Sequence, residues 1–236
     1  MKKGNDIMHY YSEKEIRDII TSVVSQSLPG GKCDPQCASQ CPKKKETNCP
    51  PVPVEVSARH VHLTQEAVEK LFGKGHQLTK KRDLSQPGEF LAEERVKIVT
   101  NKGEFANVAV LGPARPAVQV ELSMTDCKTL GIKAPVNLSG DLNGAADVVL
   151  FSTAGMYKAD HSAIVAKAHI HMTPKDAEMY GVKDGQTVRV RLDSPRSITV
   201  NDVLIRVKES FQLAMHIDFD EANAACVSGN TAGYLE

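Results

Sequence analysis

Apolar residues fall along this chain in two different rhythms. In SEKEIRDIITSVVSQSL, residues 12–28, Ile16, Ile19, Ile20, Val23, Val24 and Leu28 recur at helical spacing and make one apolar stripe on an otherwise polar helix. Ser12 and Glu15 are spaced as a capping box, and Tyr11 and Ile16 as a hydrophobic staple. A helix this short is marginal alone, so its stripe calls for a partner. PGGKCDPQCASQCPKKKETNCPPVP, residues 29–53, is too rich in Pro, Gly and Lys to pack a core and reads as a flexible linker. From Val54 the rhythm becomes mostly period two. VKIV, NVAVL, VQVELS, TVRVRL, VLIRV and LAMHID alternate apolar and polar residues between turn residues, as short antiparallel strands do. Two short helices should interrupt them, one after Thr64 and one after Thr173, where Thr-Pro-Lys-Asp supplies an N-cap, a first-turn proline and an acidic third residue.

The β region repeats itself. SARHVHL at 57–63 carries His60 and His62, and KAHIHM at 167–172 carries His169 and His171. A threonine follows each pair by two residues, and each helix expected there ends near a glycine, Gly73 or Gly181. VQVELSMTDCKTLGI at 118–132 aligns without gaps on LAMHIDFDEANAACV at 213–227, which sets Glu121 opposite His216. We expect two tandem halves, 54–145 and 146–236. On a strand, residues i and i+2 share a face, so each histidine pair points one way and Val61 with Leu63, or Ile170 with Met172, the other. A lone His-x-His is equally well explained by a half-exposed strand. Two copies, each with a further imidazole or carboxylate from a later strand, are hard to explain as solvated surface. Three such ligands leave one position of a Zn²⁺ ion open, the catalytic rather than the structural pattern. The pattern leaves open whether Glu121 and His216 serve their own half or the other.

Composition limits the alternatives. The 236 residues are 41% hydrophobic and 25% charged, with 29 Lys plus Arg against 29 Asp plus Glu. There is no net field to attract nucleic acid or an anionic membrane, so a bound anion must be held locally. No apolar run is long enough to span a bilayer, and the N-terminus lacks the apolar core of a signal peptide. The expected compartment is cytoplasmic, where the six cysteines stay reduced or bind metal. Cys33, Cys37, Cys41 and Cys49 have neither CxxC nor zinc-finger spacing and read as incidental thiols. Cys127 and Cys226 stand in no nucleophile motif and read as buried core thiols, while His9, His76 and His161 read as surface residues.

SARHVHL, GPARPAVQVELS, AKAHIHM and MHIDFDEANA, in this order over roughly residues 53–235, resemble the phosphate propanoyltransferases of bacterial microcompartments, phosphotransacylases of the PduL type. The resemblance implies two tandem β-barrels with a two-zinc site between them, interconverting an acyl-CoA plus phosphate with an acyl phosphate plus CoA. It implies His60, His62, Glu121, His169, His171 and His216 as zinc ligands and Arg115 as the phosphate-binding residue. For CoA it suggests Ser57, Ala58, Arg59, Lys102 and Asn223. Arg115 suits its role because a guanidinium fork pairs bidentately with phosphate. Its counterpart in the second half is Ser210, so the duplicated site holds one anion clamp. The resemblance also implies that residues 1–28 are a helix that targets the chain to microcompartment shell proteins, placing it in the compartment lumen, where a homo-oligomer is allowed. The same ligands could instead serve a dizinc hydrolase of thioesters or phosphoesters, which has less need of Arg115, or a non-catalytic zinc-stabilised adaptor recruiting cargo through its helix.

Overall fold

Alternation of apolar and polar residues becomes strand after strand in a computed structural model of the chain, which describes Ser12, Lys14, Arg17, Asp18 and residues 49–236. Lys14, Arg17 and Asp18 are helical and exposed. The rest of the amphipathic segment, most of the linker and Cys33, Cys37 and Cys41 lie outside the described residues.

The strands close into two rings of six. In the first, β2 (His60–His62) lies between β5 (Glu104–Gly112), to which it is parallel, and β6 (Gln119–Leu122), to which it is antiparallel. β6 runs on to β9 (Met156–Ala166), β9 to β8 (Ala146–Phe151), β8 to β4 (Phe90–Val99), and β4 back to β5. Two short strands, β3 (Lys80–Asp83) and β7 (Val136–Asn137), attach to β4 and β9. The second ring runs β1 (Val52–Ser57), β13 (Ala214–Asp218), β10 (His169–Met172), β12 (Thr199–Val207), β11 (Thr187–Asp193), β14 (Ala232–Leu235) and returns to β1. The fold is mainly β, as the alternation predicts, and has two barrels, as the family resemblance implies.

Each barrel has its own core. Val61, Leu63, Ile98, Val110, Val120 and Leu150 are buried in the first, and Ile170, Met172, Val190, Ile205, Met215 and Ile217 in the second. Val61 and Ile170 face inward, so the histidines flanking them leave the barrels on the opposite face. Among residues 49–236 four short helices follow β2, β6, β10 and β13 in turn: α1 (Gln65–Phe72), α2 (Met124–Leu130), α3 (Pro174–Tyr180) and α4 (Phe219–Ala225). The alternation foreshadowed only α1 and α3. α2 and α4 are carried by reciprocal capping boxes, Ser123 with Asp126 and Asp218 with Glu221, that satisfy first-turn donors a seven-residue helix cannot satisfy internally.

The expected division at residue 145 needs correction. β8 and β9, residues 146–166, belong to the first barrel, and β1, at the head of the first half, closes the second. β1 precedes one histidine pair as β9 precedes the other, so the repeats exchange their leading strands. Val54 and Glu55 align in parallel with Met215 and His216, as Ala163 and Ile164 do with Val120 and Glu121. The reason is burial: Val52 and Val54 pack into the second core, and Ala163 and Val165 into the first. β1 also starts at Val52, inside the stretch read as linker.

The exchange makes the first barrel contiguous in sequence and the second discontinuous. A fragment of residues 58–166 should therefore give a dispersed amide spectrum by NMR. Residues 167–236 alone should not, because they lack the strand between β13 and β14 and the apolar burial of Val52 and Val54, about 1.5–3 kcal/mol for each side chain. Supplying residues 50–57 as a fused segment should restore the fold.

Candidate active site

The two strand crossovers build the two ligand groups in the same way. Each first histidine follows its leading strand by a short link, and its Nδ1 lies at the carbonyl two residues back: His60 to Ala58 at 2.8 Å, His169 to Lys167 at 2.9 Å. A protonated Nδ1 donating there leaves the Nε2 lone pair for another partner. Antiparallel pairing then sets His60 opposite Glu121 and His169 opposite His216. The result is two groups, His60 with His62 and Glu121, and His169 with His171 and His216, each with ligand atoms within 4.8 Å of one another. Glu121 and His216 thus each join their own half, the choice the sequence left open.

Glu121 is held so that one oxygen stays available. Its Oε1 accepts from Gln119 Nε2 at 2.6 Å and Ser139 Oγ at 2.9 Å, while Oε2 lies 3.5 Å from His60 Nε2. The Gln119 amide is fixed in turn, its Oε1 accepting from Gly140 N at 2.7 Å. Burial works to raise the Glu121 carboxyl, but His60, His62 and Ser139 outweigh it and hold it far below the usual carboxylate range. His60 is raised: burial opposes its charge, but Glu121 and the Ala58 carbonyl more than compensate. The other four histidines are kept neutral. Burial, then the charges of His60 and Arg115, lowers His62; burial lowers His169. Burial with His169 and His216 pushes His171 down to about 2, and burial with His169 pushes His216 down to about 3.

This donor set fits a divalent cation. His62 Nδ1 and both ring nitrogens of His171 are buried with no hydrogen-bond partner, a costly state for polar atoms unless something else is bound there. Neutral imidazoles with at most one carboxylate suit Zn²⁺ better than Mg²⁺ or Ca²⁺, which take oxygen ligands.

Both groups face one cavity of about 960 Å³ between the barrels. Arg115 lines it, on the loop after β5, where its backbone N donates to Leu63 O at 2.8 Å. Its guanidinium reaches Glu89 at 2.7 Å and Ser139 Oγ at 3.4 Å, so Ser139 links it to the Glu121 carboxylate. Ser57, Ala58 and Arg59 also line the cavity. Arg59 is already engaged, forking onto the buried Asp126 at 2.7 and 3.1 Å and lying 4.1 Å above the Phe105 ring. Lys102 and Asn223 are not among the lining residues. The Lys102 stem packs where a Cβ at Gly131 would lie, in a left-handed helix cap, and Asn223 is exposed on α4.

The sequence missed the residues that hold the site together. Gln119 and Ser139 brace Glu121, Gln86 places its Nε2 3.5 Å from His216 Nε2, and Phe211 stacks on His171 with centroids 4.1 Å apart. Arg206 and Lys208 add cations on the second barrel's side. Only Gln119, two residues before Glu121 in the same polar phase, carried a signal. Two minor expectations also change. Cys226 is exposed, as the left-handed cap of α4. Cys127 is buried as expected, and burial pushes its thiol up to about 11. His76 is two-thirds covered and paired with Glu94 at 2.7 Å, while His161 is on the surface.

Residues 53–228 match the family model described as Phosphate propanoyltransferase. The chain is 52% identical over 183 residues to a protein of Leptotrichia buccalis named phosphate propanoyltransferase, across 78% of this chain and 87% of that one. Proteins of the same name from Clostridioides difficile and Thermotoga maritima are 51% identical over 184 residues and 49% over 187, across 78% and 79% of this chain and 88% and 89% of theirs.

The depressed histidines make a pH prediction for protein stripped of metal. An unfolded histidine binds its proton near pH 6.5, and these four bind theirs only at lower pH when folded, so the unfolded state holds more protons in between. Their stability contribution is intact above about pH 6.5 and is lost as pH falls toward about 3. His60 has the opposite sign, contributing stability below about pH 6.5 that fades as pH rises through its raised value, and one group does not offset four. The free energy of unfolding measured by denaturant titration after chelation should fall steadily from about pH 7 to 5, by up to about 1.4 kcal/mol per pH unit for each neutral histidine. A flat profile would show that the histidines are not buried together.

Proposed function

The chain belongs to the phosphate propanoyltransferase family and is an acyltransferase, and from that premise we propose that it interconverts a short-chain acyl-CoA plus phosphate with an acyl phosphate plus CoA at a two-zinc centre in the cavity between its barrels. The single observation that carries the reading is the convergence of both ligand groups and Arg115 on that cavity. His60, His62 and Glu121 would hold one zinc and His169, His171 and His216 the other. Bound there, the ions supply Lewis acidity toward the thioester carbonyl and the phosphate.

The side chains do the rest. Arg115 pairs with two phosphate oxygens and fixes which one faces the thioester carbon, with Ser139 steadying the guanidinium against the first ligand group. A phosphate oxygen forms the new bond to the acyl carbon as the carbon–sulfur bond breaks, and the proton of hydrogen phosphate ends on the departing sulfur. Arg206 and Lys208 lend positive potential on the opposite wall, where CoA brings its own negative charge. Ser57 and Ala58 meet CoA at the cavity wall. Lys102 and Asn223 contact its distal part beyond the cavity, and Arg59 shapes the crossover through Asp126. The acyl group is propanoyl or acetyl. Residues 1–28 form a helix that docks on microcompartment shell proteins and carries the enzyme into the cytoplasmic compartment's lumen. Among the described residues no helix is long and apolar enough to cross a membrane.

The decisive experiment is incubation with propanoyl-CoA with and without phosphate. CoA release should require phosphate; release independent of phosphate would mark a thioester hydrolase instead. The purified protein should contain about two zinc ions per chain, one for each three-ligand group, and replacing His60 and His62 together by Ala should remove one and abolish turnover. Full zinc content in that variant by elemental analysis would refute the ligand assignment. Arg115→Ala should weaken the phosphate dependence of the rate about ten- to a hundredfold, the loss of a charge-assisted pair worth about 1.5–3 kcal/mol, with zinc content unchanged. Arg115→Lys should fall between, since it keeps the charge and loses the fork. Deleting residues 1–28 should leave turnover nearly intact and abolish co-purification with shells; shells that still retain the truncated enzyme would assign the helix another task.

A further inference from the structure

Arg115 is already holding an anion. Its guanidinium NH2 lies 2.7 Å from Glu89 Oε1, and among the described residues the other acceptor at the fork is Ser139 Oγ, at 3.4 Å. Glu89 lines the same cavity as Arg115 and both ligand groups. We infer that Glu89 is a built-in competitor for the phosphate that Arg115 binds, and thereby a residue that sets which anions the enzyme admits. The inference rests on the reading of Arg115 as the phosphate-binding residue.

The placement of Glu89 is built in three ways. First, it sits where the repeats differ: sixteen residues, 74–89, separate Gly73 from β4, whereas only five, 182–186, separate Gly181 from β11. The anion fork and the carboxylate facing it thus both belong to the first repeat. Second, the backbone of this segment is pinned. Leu84 N donates to Glu89 O at 3.0 Å and Glu89 N to Gln86 O at 3.1 Å. Third, the segment is anchored to the second barrel. Gln86 exchanges two hydrogen bonds with the Gln212 backbone, at 3.0 and 3.2 Å, and Ser85 Oγ donates to Glu55 at 2.5 Å. With the main chain fixed at both ends, the Glu89 carboxylate is free to move only by side-chain rotation. Its exposure, 35% against 29% for Arg115, leaves room for that rotation.

The consequence is selectivity by displacement. A carboxylate and a phosphate present the same pair of oxygens to a guanidinium. A monoanion that merely replaces Glu89 exchanges one carboxylate contact with the guanidinium for another and gains little. A dianion with further oxygens turned toward the ligand groups gains contacts that Glu89 cannot reproduce, so phosphate displaces it where acetate does not. The arrangement lowers phosphate affinity and rejects weaker anions by the same contact.

The test uses the full-length, zinc-loaded enzyme, with phosphate and propanoyl-CoA varied separately and sulfate and acetate added as inhibitors. Glu89→Gln removes the charge, and Glu89→Asp shortens the reach while keeping it. Both should lower the phosphate KM about two- to fivefold, the range for a partly exposed ion pair, and leave the propanoyl-CoA KM unchanged. Both should also strengthen inhibition by sulfate and by acetate, a change that a merely structural role would not produce. An unchanged or raised phosphate KM in both variants, with Arg115→Ala still raising it, overturns the inference and leaves Arg115 in place. If Arg115→Ala leaves the phosphate dependence unaltered, the underlying reading fails and the competitor role with it.

Discussion

Neither barrel can close without a strand that the other repeat introduces, and most of the site follows from that constraint. β1 must run from the second barrel into β2 of the first, and β9 from the first into β10 of the second, with two residues in each link. Those links bring the barrels together at the start of each histidine pair. They also place the carbonyls of Ala58 and Lys167 where they orient the first histidine of each group. A tandem pair of barrels joined by an ordinary linker would have had to bring its two ligand groups together by surface docking. Here the covalent chain does so, and side-chain contacts such as Asp220 with Ser123 and Thr125, at 3.2 and 2.7 Å, only refine it.

Exchange makes the framework symmetric; side chains then break the symmetry where chemistry needs it. One ligand group carries a carboxylate and the other does not, so the two groups differ in charge by one unit when all histidines are neutral. Arg115 has Ser210 as its counterpart, leaving the guanidinium on the carboxylate's side. Arg59 forks onto Asp126, but the corresponding positions in the second repeat are Ala168 and Glu221. Without an arginine, burial and the neighbouring Asp218 and Asp220 push the Glu221 carboxyl up to about 7. The part-buried pair in the first repeat and its absence in the second show how far the halves have diverged around an unchanged backbone plan.

Burial decides which groups can act. Taking imidazoles out of water disfavours their charged form, and crowding three of them together disfavours it further. The second group is therefore neutral across the ordinary pH range and available as ligands, while in the first the single carboxylate supports a raised His60. The same cavity wall holds Arg115, whose charge contributes to lowering His62. One enclosure thus holds a cation, a carboxylate and neutral imidazoles side by side.

The sequence alone determined the mainly β architecture, the duplication and the six residues that the structure gathers into two groups of three. A period of two and a repeated His-x-His are local properties, written in residues that neighbour one another along a strand. It also marked Arg115 through its proline-flanked loop and the family resemblance. What it could not determine was which strand closes which barrel. The C-terminal part of β9 is buried on both faces through Ala163, Ile164 and Val165 and so shows no alternation, and nothing along β1 distinguishes its own barrel from the other. The division at residue 145 was misplaced for that reason. The supports of the site were equally hidden: Ser139, Gln86 and Glu89 lie in irregular segments whose positions are set by hydrogen bonds to residues as much as 126 positions away. Ligand identity is a matter of local pattern, whereas the grouping of ligands, the shared cavity and the carboxylate opposite Arg115 exist only once distant strands have been brought together.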